Sequence, residues 1–240
     1  MKKLIYLQFL LLSSISAMSQ SLVCNYNVKV DSTYLKEKNI NVHEIFYTYT
    51  KYLDKLSYKL TIKDGESHYA VNPDFKKGLD ENLVKVVQSV GGRGVYYFDK
   101  SNDKLLNQKF FFGEIYLIEQ EKPTWNYTNQ TKVIDGIMCF KAFSLKKIDN
   151  GKRQFTKTTI AWYAPSLPYS FGPMNFIGLP GLIIELQENE AVLYLDKIEF
   201  LNSDVKINAP TEGIRMTDSQ YEKHLIENGE IFLKNQIFKN

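Results

Sequence analysis

The side chains most able to do chemistry are scattered along this sequence. The three histidines, His43, His68 and His224, are far apart and show neither HExxH nor HxH spacing. Zinc centres are usually signalled by such short spacings between ligands. A zinc site would therefore require tertiary convergence with a carboxylate, and ordinary surface or half-buried imidazoles are the favoured interpretation.

Nucleophilic and phosphate-binding patterns are also sparse. The sequence has no Gly-x-Ser-x-Gly nucleophile elbow, and the glycine-rich stretch 91–94 lacks the Gly-Lys-Ser/Thr of a P-loop. Cys139 lies between Met138 and Phe140, and apolar neighbours do not lower a thiol pKa as a catalytic cysteine requires. These patterns predict no cofactor and no metal, and they make an enzyme the least favoured class.

Alternating apolar and polar residues predict a mainly β structure. Residues 56–62 alternate with one apolar face, and Asp64-Gly65 before His68 predicts a hairpin with a tight turn. Further strands are expected at 44–50, at 106–119 with a break at Gly113, at 138–147 with 154–163, and at 182–187 with 192–201. Successive hairpins of this kind predict an antiparallel meander.

Two helices are predicted. Residues 80–87 are a short candidate, and Thr217 with Gln220 forms a capping box at the start of a C-terminal helix. Asn228-Gly229 is typical of a helix end, so the second helix is expected to stop there. The 16 Tyr and 15 Phe suit either a plain β core or a cavity lined with rings.

The N-terminus has the order of parts expected of a secretory signal peptide. Two lysines precede an apolar run from Leu4 to Leu12, and small residues surround the expected cleavage site after Ser19. A membrane anchor would need roughly 20 apolar residues, about twice this run. Residues 1–19 are therefore interpreted as the signal, and residues 20–240 as one exported domain in the periplasm or outside the cell.

Charge and cysteine content narrow the partners. The formal net charge of +3 falls to about +1 once Lys2 and Lys3 leave with the signal, which disfavours a nucleic-acid partner. The remaining cysteines, Cys24 and Cys139, could form one disulfide in an oxidising compartment. Two buried free thiols are the alternative, and the sequence leaves both open.

The most specific pattern lies between Ala161 and Leu186, where Phe171-Gly172-Pro173 precedes the hexapeptide Gly-Leu-Pro-Gly-Leu-Ile at 178–183. With landmarks such as Trp125 upstream, this segment resembles the GLPGLI family of exported Bacteroidetes proteins over about residues 125–200. The resemblance implies export and supplies no activity. The motif residues, structural or ligand-binding, are Trp162, Tyr163, Phe171, Gly172, Pro173, Gly178, Leu179, Pro180, Gly181, Leu182 and Ile183.

The hexapeptide itself favours a structural role. Pro180 fixes φ, and the two glycines allow positive φ or close backbone approach, so the segment is expected to bend the chain and begin a buried strand. The surrounding hairpins also resemble, at the level of fold, the periplasmic lipoprotein carriers. That resemblance implies a curved antiparallel sheet or open half-barrel with a C-terminal helix around an apolar cavity. A closed up-and-down β-barrel is the alternative.

Three functions are considered. The first is a cell-envelope binding protein that holds an apolar or amphipathic ligand, which predicts a sizeable apolar pocket. The second is an interaction accessory of an outer-membrane complex or transporter, which predicts that Tyr169, Phe171, Met174 and Phe176 are exposed. The third, a hydrolase with a convergent site, is disfavoured. The exported chain is not expected to span a membrane.

Overall fold

The computed structural model describes residues 21–31, 53, 56–72, 91–111, 113–149, 153–201 and 205–237, with side chains to Asn228 in the last range. Several predictions lie outside the described residues: the signal peptide and its cleavage site, the strand at 44–50 and the helix at 80–87.

The described chain is mostly β, as predicted, and its twelve strands belong to one sheet. The strands are β1 Ser21–Val30, β2 Ser57–Lys63, β3 Glu66–Val71, β4 Val95–Asp99, β5 Lys104–Phe111, β6 Glu114–Glu119, β7 Trp125–Ile134, β8 Ile137–Asp149, β9 Gln154–Ala164, β10 Leu182–Glu188, β11 Ala191–Leu201 and β12 Ile214–Thr217. One helix among the described residues, α1 Asp218–Ile237, follows β12. No helix in this part of the chain combines the length and apolarity needed to cross a membrane.

Two antiparallel meanders make up the sheet. Strands β2 to β6 form one meander and β7 to β11 form the other, and β1 joins them by pairing with both β2 and β11. Strand β12 adds to the edge of the first meander by parallel pairing with β6. The prediction of successive hairpins is therefore confirmed, whereas the central role of β1 was not predicted.

The sheet must curl strongly. Only residues 120–124 join β6 to β7, although these strands stand ten positions apart in the sheet order. Strands are about 4.8 Å apart, so a flat sheet would separate the two by about 48 Å, whereas six Cα steps span at most about 22 Å. Both ends of the sheet are thus brought towards each other around one concave face.

The curled sheet remains open. Its end strands are β12 and β7, and these two do not pair with each other. The prediction of an open curved sheet with a C-terminal helix is therefore confirmed, and the alternative of a closed barrel is wrong. Closure fails because each end strand has a single strand neighbour in the described sheet.

The predicted turn residues have the backbone conformations that their types favour. Asp64 and Gly65 join β2 to β3 with φ of 50° and 85°, as a tight hairpin turn requires. Gly113, with φ of 87°, separates β5 from β6. Asp135 and Gly136 join β7 to β8 with φ of 47° and 80°, a further Asp-Gly hairpin turn.

Helix α1 begins as predicted and ends later than predicted. The Thr217 amide donates to Gln220 Oε1 at 2.9 Å, and the Gln220 amide donates to Thr217 Oγ1 at 3.2 Å, which confirms the capping box. The predicted end at Asn228-Gly229 is wrong, because the helix continues to Ile237. A glycine inside a helix costs only about 1 kcal/mol relative to alanine, so Gly229 does not by itself end it.

The core fills the concave face where β1, β2, β9 and β10 meet the loop between β9 and β10. Cys24 on β1 and Cys139 on β8 are both buried and free, so the structure has two thiols and not the disulfide left open by the sequence. Strands β11, β10 and β9 lie between β1 and β8. This separation exceeds the Cα distance of about 4.4–6.8 Å that a disulfide spans.

Candidate functional site

The motif residues lie mainly in the core. The buried ones are Tyr163, Phe171, Gly172, Pro173, Leu179, Gly181, Leu182 and Ile183, whereas Trp162 is half-buried and Gly178 and Pro180 are exposed. Most of them belong to the motif loop, residues 165–181, or begin the strand that follows it. Five of the buried side chains, Tyr163, Phe171, Leu179, Leu182 and Ile183, pack in the main hydrophobic core.

Glycine is required at three positions of this segment for different structural reasons. A Cβ atom on Gly181 would lie 2.2 Å from the Ala164 carbonyl oxygen, so the close backbone approach requires glycine. A Cβ on Gly172 would lie 2.5 Å from Ile183 Cδ1 and 2.8 Å from Ile183 Cβ, so the close packing of Ile183 also requires glycine there. Gly178 faces open space and needs glycine only for its φ of 92°.

The motif loop is held by its own hydrogen bonds and by β7. The Leu182 amide donates to the Leu167 carbonyl at 2.9 Å, and the Ile183 amide donates to the Phe171 carbonyl at 3.1 Å. Trp125 Nε1 on β7 donates to the Ile177 carbonyl at 2.8 Å. These bonds give a buried loop partners for its backbone, as burial requires.

The expected exposure of the loop aromatics is wrong. Phe171, Met174 and Phe176 are buried, and Tyr169 is half-buried and packs against the core. The curled sheet explains this result, because its concave face needs apolar side chains to fill it. The loop therefore does not present these side chains to a partner.

A cavity of about 750 Å³ occupies the other end of the concave face. Strands β4 and β5 form one wall, β8, β9 and the end of β10 form the opposite wall, and the first turn of α1 closes one side. Residues 174–176 of the motif loop separate this cavity from the packed core. The cavity is thus a space that the motif loop does not fill.

Asn107 is the most unusual residue in the cavity wall. Its side chain is 1% exposed, and its Nδ2 donates to the carbonyls of Arg93 and Val95, each at 3.1 Å. Its Oδ1 accepts no hydrogen bond from any residue that the structure describes. More than nine in ten buried polar groups have a partner, so an orphaned carboxamide oxygen beside a cavity calls for an explanation.

Lys109 lies two residues further along β5 and lines the same cavity. Its Nζ lies 4.1 Å from the ring centroid of Tyr221, and within the described residues no carboxylate comes within 4.0 Å of it. Burial lowers the pKa of Lys109 to about 8, while Asp218 and Glu222 raise it and Arg93 and Lys146 lower it. This ammonium group is therefore held by an aromatic face and by no anion.

Three of the four carboxylates that line the cavity, in contrast, have lysine partners, and the fourth, Glu121, is exposed. Asp218 accepts from Gln120 Nε2 at 2.8 Å and from Lys146 Nζ at 2.7 Å. Glu188 accepts from Lys157 Nζ at 2.8 Å and from Thr159 Oγ1 at 2.9 Å. The charges of these two acids are therefore satisfied within the protein.

Lys146 also links the two sides of the curled sheet. Its Nζ lies 2.7 Å from carboxylate oxygens of both Asp218 and Glu222, which belong to α1, whereas Lys146 belongs to β8. Burial lowers the pKa of Lys146, but its hydrogen bonds to the two carboxylates outweigh burial and raise it. The ammonium group therefore stays charged and spans the edge of the cavity at neutral pH.

Tyr96 adds a hydroxyl donor to the wall. It lies directly opposite Asn107 across the β4–β5 pair, and its ring meets that of Tyr69 at 6.0 Å between centroids. Burial first, then the nearby Glu188 and Asp218, raises the pKa of Tyr96 well above its ordinary value. The hydroxyl is therefore protonated at neutral pH and is able to donate.

A second, smaller pocket of about 310 Å³ lies beside Trp162. Lys132 lies 4.5 Å from the Trp162 ring centroid, and Glu185 accepts from both Lys132 and Lys29. Burial raises the pKa of Glu185, but these two hydrogen bonds outweigh it and hold that pKa below its ordinary value. The charges here already compensate one another, so this pocket is the weaker candidate.

The sequence did not identify Asn107, Lys109 or Tyr96. Residues 106–119 looked like aromatic and aliphatic strands, and the available signal was that Asn107 and Lys109 continue the core-facing row that Leu105 begins. The polar lining also differs from the apolar pocket that an apolar ligand requires. Within the described residues, no group of three or more His, Cys, Asp or Glu could hold a metal ion.

Comparisons with known proteins extend this picture. The family model described as "Protein of unknown function (Porph_ging)" matches residues 152–185, a segment that includes the hexapeptide. No curated protein sequence matches the chain.

Two solved structures of PNGF-II are similar in fold. The structure in space group P21 has a TM-score of 0.51 and 15% identity over 85% of this chain, and the structure in space group C2 has a TM-score of 0.49 and 16% identity over 86%. This chain spans about a third of PNGF-II, since 32% of that chain is covered. At such low identity, the P21 structure indicates a shared fold and nothing about activity.

Proposed function

We propose that this chain is an exported GLPGLI-type binding module that holds a small polar ligand in the concave cavity. The hexapeptide and its landmarks support the family resemblance, and the order of parts at residues 1–19 supports export to the periplasm or beyond. The ligand differs from the apolar or amphipathic one first considered, because the cavity wall carries lysines, carboxylates and amides.

One observation carries this proposal: two inward-facing side chains of β5 that line the cavity each carry a polar group with no polar partner among the described residues. Asn107 Oδ1 has no donor, and Lys109 Nζ has no carboxylate within 4.0 Å. Leaving a buried polar group unpaired costs about 1–3 kcal/mol. A ligand that supplies partners to both groups recovers that free energy on binding.

Binding is favoured over hydrolysis at this site. Ser144 lines the cavity, but no histidine or cysteine accompanies it among the described lining residues. A serine nucleophile needs an adjacent base within hydrogen-bond reach. The arrangement is suited to holding a molecule, and it offers no activated nucleophile.

A second candidate function, protein interaction in the cell envelope, has one specific observation in its favour. The edge strand β7 and its neighbour expose large apolar side chains, with Tyr127 58%, Val133 61% and Met138 50% exposed. An unpaired strand edge with apolar side chains is a common place for another chain to pair. This surface is separate from the cavity, so both functions can coexist.

Equilibrium dialysis tests the ligand-binding proposal. The purified chain 20–240 is dialysed against a polar metabolite extract of its source cells, and retained molecules are identified by mass spectrometry. We expect at least one polar molecule to be retained by the native protein and lost in Asn107→Leu, which removes the orphaned oxygen with little change in volume.

A matched control is Asn129→Leu, because Asn129 is exposed on the edge strand β7. It should retain the same molecule as the native protein. Circular dichroism establishes that both variants are folded. Retention that is equal in all three proteins, or absent from the native protein, contradicts the proposal.

A further inference from the structure

We infer that the cavity ligand carries an anionic group and, a few bonds away, a hydroxyl or N–H donor, which makes a sugar acid or a similar hydroxy acid its chemical class. This inference rests on the proposed binding function and names the ligand class of the same cavity.

The charged side chains of the cavity indicate the charge of its ligand. Three carboxylates of its lining accept from lysines: Asp218 and Glu222 from Lys146 of β8, and Glu188 from Lys157 of the neighbouring strand β9. The fourth, Glu121, is exposed. A cationic ligand at any of the first three would have to displace a lysine. Lys109 is different, because among the described residues its ammonium group has the Tyr221 ring at 4.1 Å and no carboxylate within 4.0 Å. The charge that the cavity lacks is therefore a negative one beside Lys109.

The carboxamide oxygen of Asn107 indicates a second group of the ligand. Asn107 Oδ1 can only accept, and among the described residues it accepts nothing. A ligand group that reaches this oxygen must therefore donate through O–H or N–H. A bare anion such as chloride would neutralise Lys109 and leave this oxygen orphaned.

The spacing of Asn107 and Lys109 allows one ligand to contact both residues. Asn107 and Lys109 are two residues apart on β5, so they point to the same face of the sheet with Cα atoms about 7 Å apart. Both side chains line the one cavity. A single small molecule with an anion and a nearby donor fits this spacing better than two separate ligands do.

Further donors and acceptors around this pair favour a polyol over a simple acid. Tyr96 pairs with Asn107 across β4 and β5 and lines the cavity, and Thr159 and Ser144 line the facing wall. Hydroxyl groups both donate and accept, so they suit a wall of mixed amides and hydroxyls. Several hydroxyls on one carbon skeleton, as in a sugar acid, satisfy more of the wall than one carboxylate.

Three chemical probes separate the elements of this inference. D-glucuronate has the anion and the hydroxyls, D-glucose lacks the anion, and cyclohexanecarboxylate lacks the hydroxyls. Each is titrated into the native chain 20–240 by isothermal calorimetry at constant ionic strength. We expect D-glucuronate to bind at least tenfold more tightly than either of the other two.

Variants assign the binding to the cavity. Lys109→Met keeps the length of the side chain and removes its charge, and it should weaken D-glucuronate binding at least tenfold while changing D-glucose binding little. Lys100→Met is the control, because Lys100 is exposed in the turn between β4 and β5 and does not line the cavity. It should bind D-glucuronate like the native protein.

The outcomes distinguish this inference from the function on which it rests. Equal binding of D-glucose and D-glucuronate, or no loss of D-glucuronate binding in Lys109→Met, overturns the anionic class. If the dialysis experiment still shows an Asn107-dependent ligand, the binding function stands and only its ligand class changes. If dialysis retains nothing, the binding function itself fails.

Discussion

The concave face of the sheet has two ends that treat buried polar groups differently. At the packed end, around the motif loop, Tyr26 donates to the Ile183 carbonyl at 2.6 Å and Trp125 donates to the Ile177 carbonyl at 2.8 Å. At the open end, the Asn107 oxygen and the Lys109 ammonium group have no such partner among the described residues, although the nearby Asp218 and Glu188 do. The contrast between the two ends therefore lies in these two groups of β5.

This difference separates the recognisable sequence motif from the candidate site. The hexapeptide belongs to the packed end, where Leu179, Leu182 and Ile183 are buried. The cavity draws Tyr96, Asn107 and Lys109 from β4 and β5, which lie outside the residues matched by the family model, whereas Lys157 and Thr159 of the facing wall lie inside them. The buried motif side chains therefore pack in the core, and ligand specificity is expected to depend on Asn107 and Lys109, outside the matched segment.

The largest expected effect lies at the packed end, in a pair of glycine variants. Gly181→Ala places a Cβ 2.2 Å from the Ala164 carbonyl oxygen, and backbone atoms cannot easily move away, so we expect a loss of at least about 3 kcal/mol in the free energy of unfolding. In Gly178→Ala the new Cβ has no atom within 4 Å, so the free energy of unfolding should fall only by the cost of a positive φ, about 1–2 kcal/mol. Urea unfolding measures both, and equal losses would contradict the structural role of Gly181.

A smaller effect is expected where β7 anchors the motif loop. Trp125→Phe keeps an aromatic ring against Phe176, whose centroid is 5.9 Å from that of Trp125, but removes the donor to the Ile177 carbonyl. We expect a loss of about 1–2 kcal/mol in stability, since one buried carbonyl loses its partner. Ligand retention in dialysis should be unchanged in the folded variant. If the folded variant lost the ligand without losing stability, the ligand would bind at the packed end and not in the cavity, which would contradict the proposal.

Part of this fold could be predicted from the sequence alone. Alternating residues and Asp-Gly turns predicted most hairpins, because strand period and turn chemistry are local properties. Strand β1 was not predicted, since its pairing with both β2 and β11 depends on chain segments far apart in sequence. Gly91 belongs to the glycine-rich stretch 91–94, whose sequence does not show that it is buried or that a Cβ there would lie 2.2 Å from the Tyr58 ring. Such close approaches appear only in the folded chain.

The candidate site was harder to predict for the same reason. Lys109 and Glu188 are ordinary polar residues in sequence, and their different roles depend on which partners the curled sheet brings to each. Lys157 lies 2.8 Å from Glu188, whereas no carboxylate among the described residues reaches Lys109. Whether a charged side chain has an ion-pair partner depends on the tertiary structure and is not predicted by local sequence spacing.

At the open end, ligand affinity should depend on pH. Only the ammonium form of Lys109 attracts an anion, and the pKa of this group is about 8 because of burial. Affinity for D-glucuronate should therefore be constant below about pH 7 and fall by up to tenfold per pH unit above about pH 8. Calorimetry between pH 6 and 10 measures this dependence, and Lys109→Met should abolish it. A pH-independent affinity in the native protein would contradict the role of Lys109.

The smallest effect is expected at the ion pairs that span the edge of the cavity. Lys146→Met removes the contacts from β8 to Asp218 and Glu222, but the lysine is 46% exposed and Asp218 keeps its bond from Gln120. We expect the free energy of unfolding to fall by less than about 1 kcal/mol. Hydrogen exchange in the first turn of α1 should become faster. A loss of several kcal/mol would show that these ion pairs, and not the core, hold the sheet curled.

The most direct test of the contrast between the two ends is nuclear magnetic resonance mapping of the bound ligand. The isotope-labelled chain is titrated with the molecule retained in dialysis, or with D-glucuronate. The account predicts shifts at the Asn107 side-chain amide, at the backbone of Lys109 and in the first turn of α1, with the Trp125 indole signal unchanged. Shifts centred on Gly178, Pro180 or Trp162, with Asn107 and Lys109 unchanged, would contradict it.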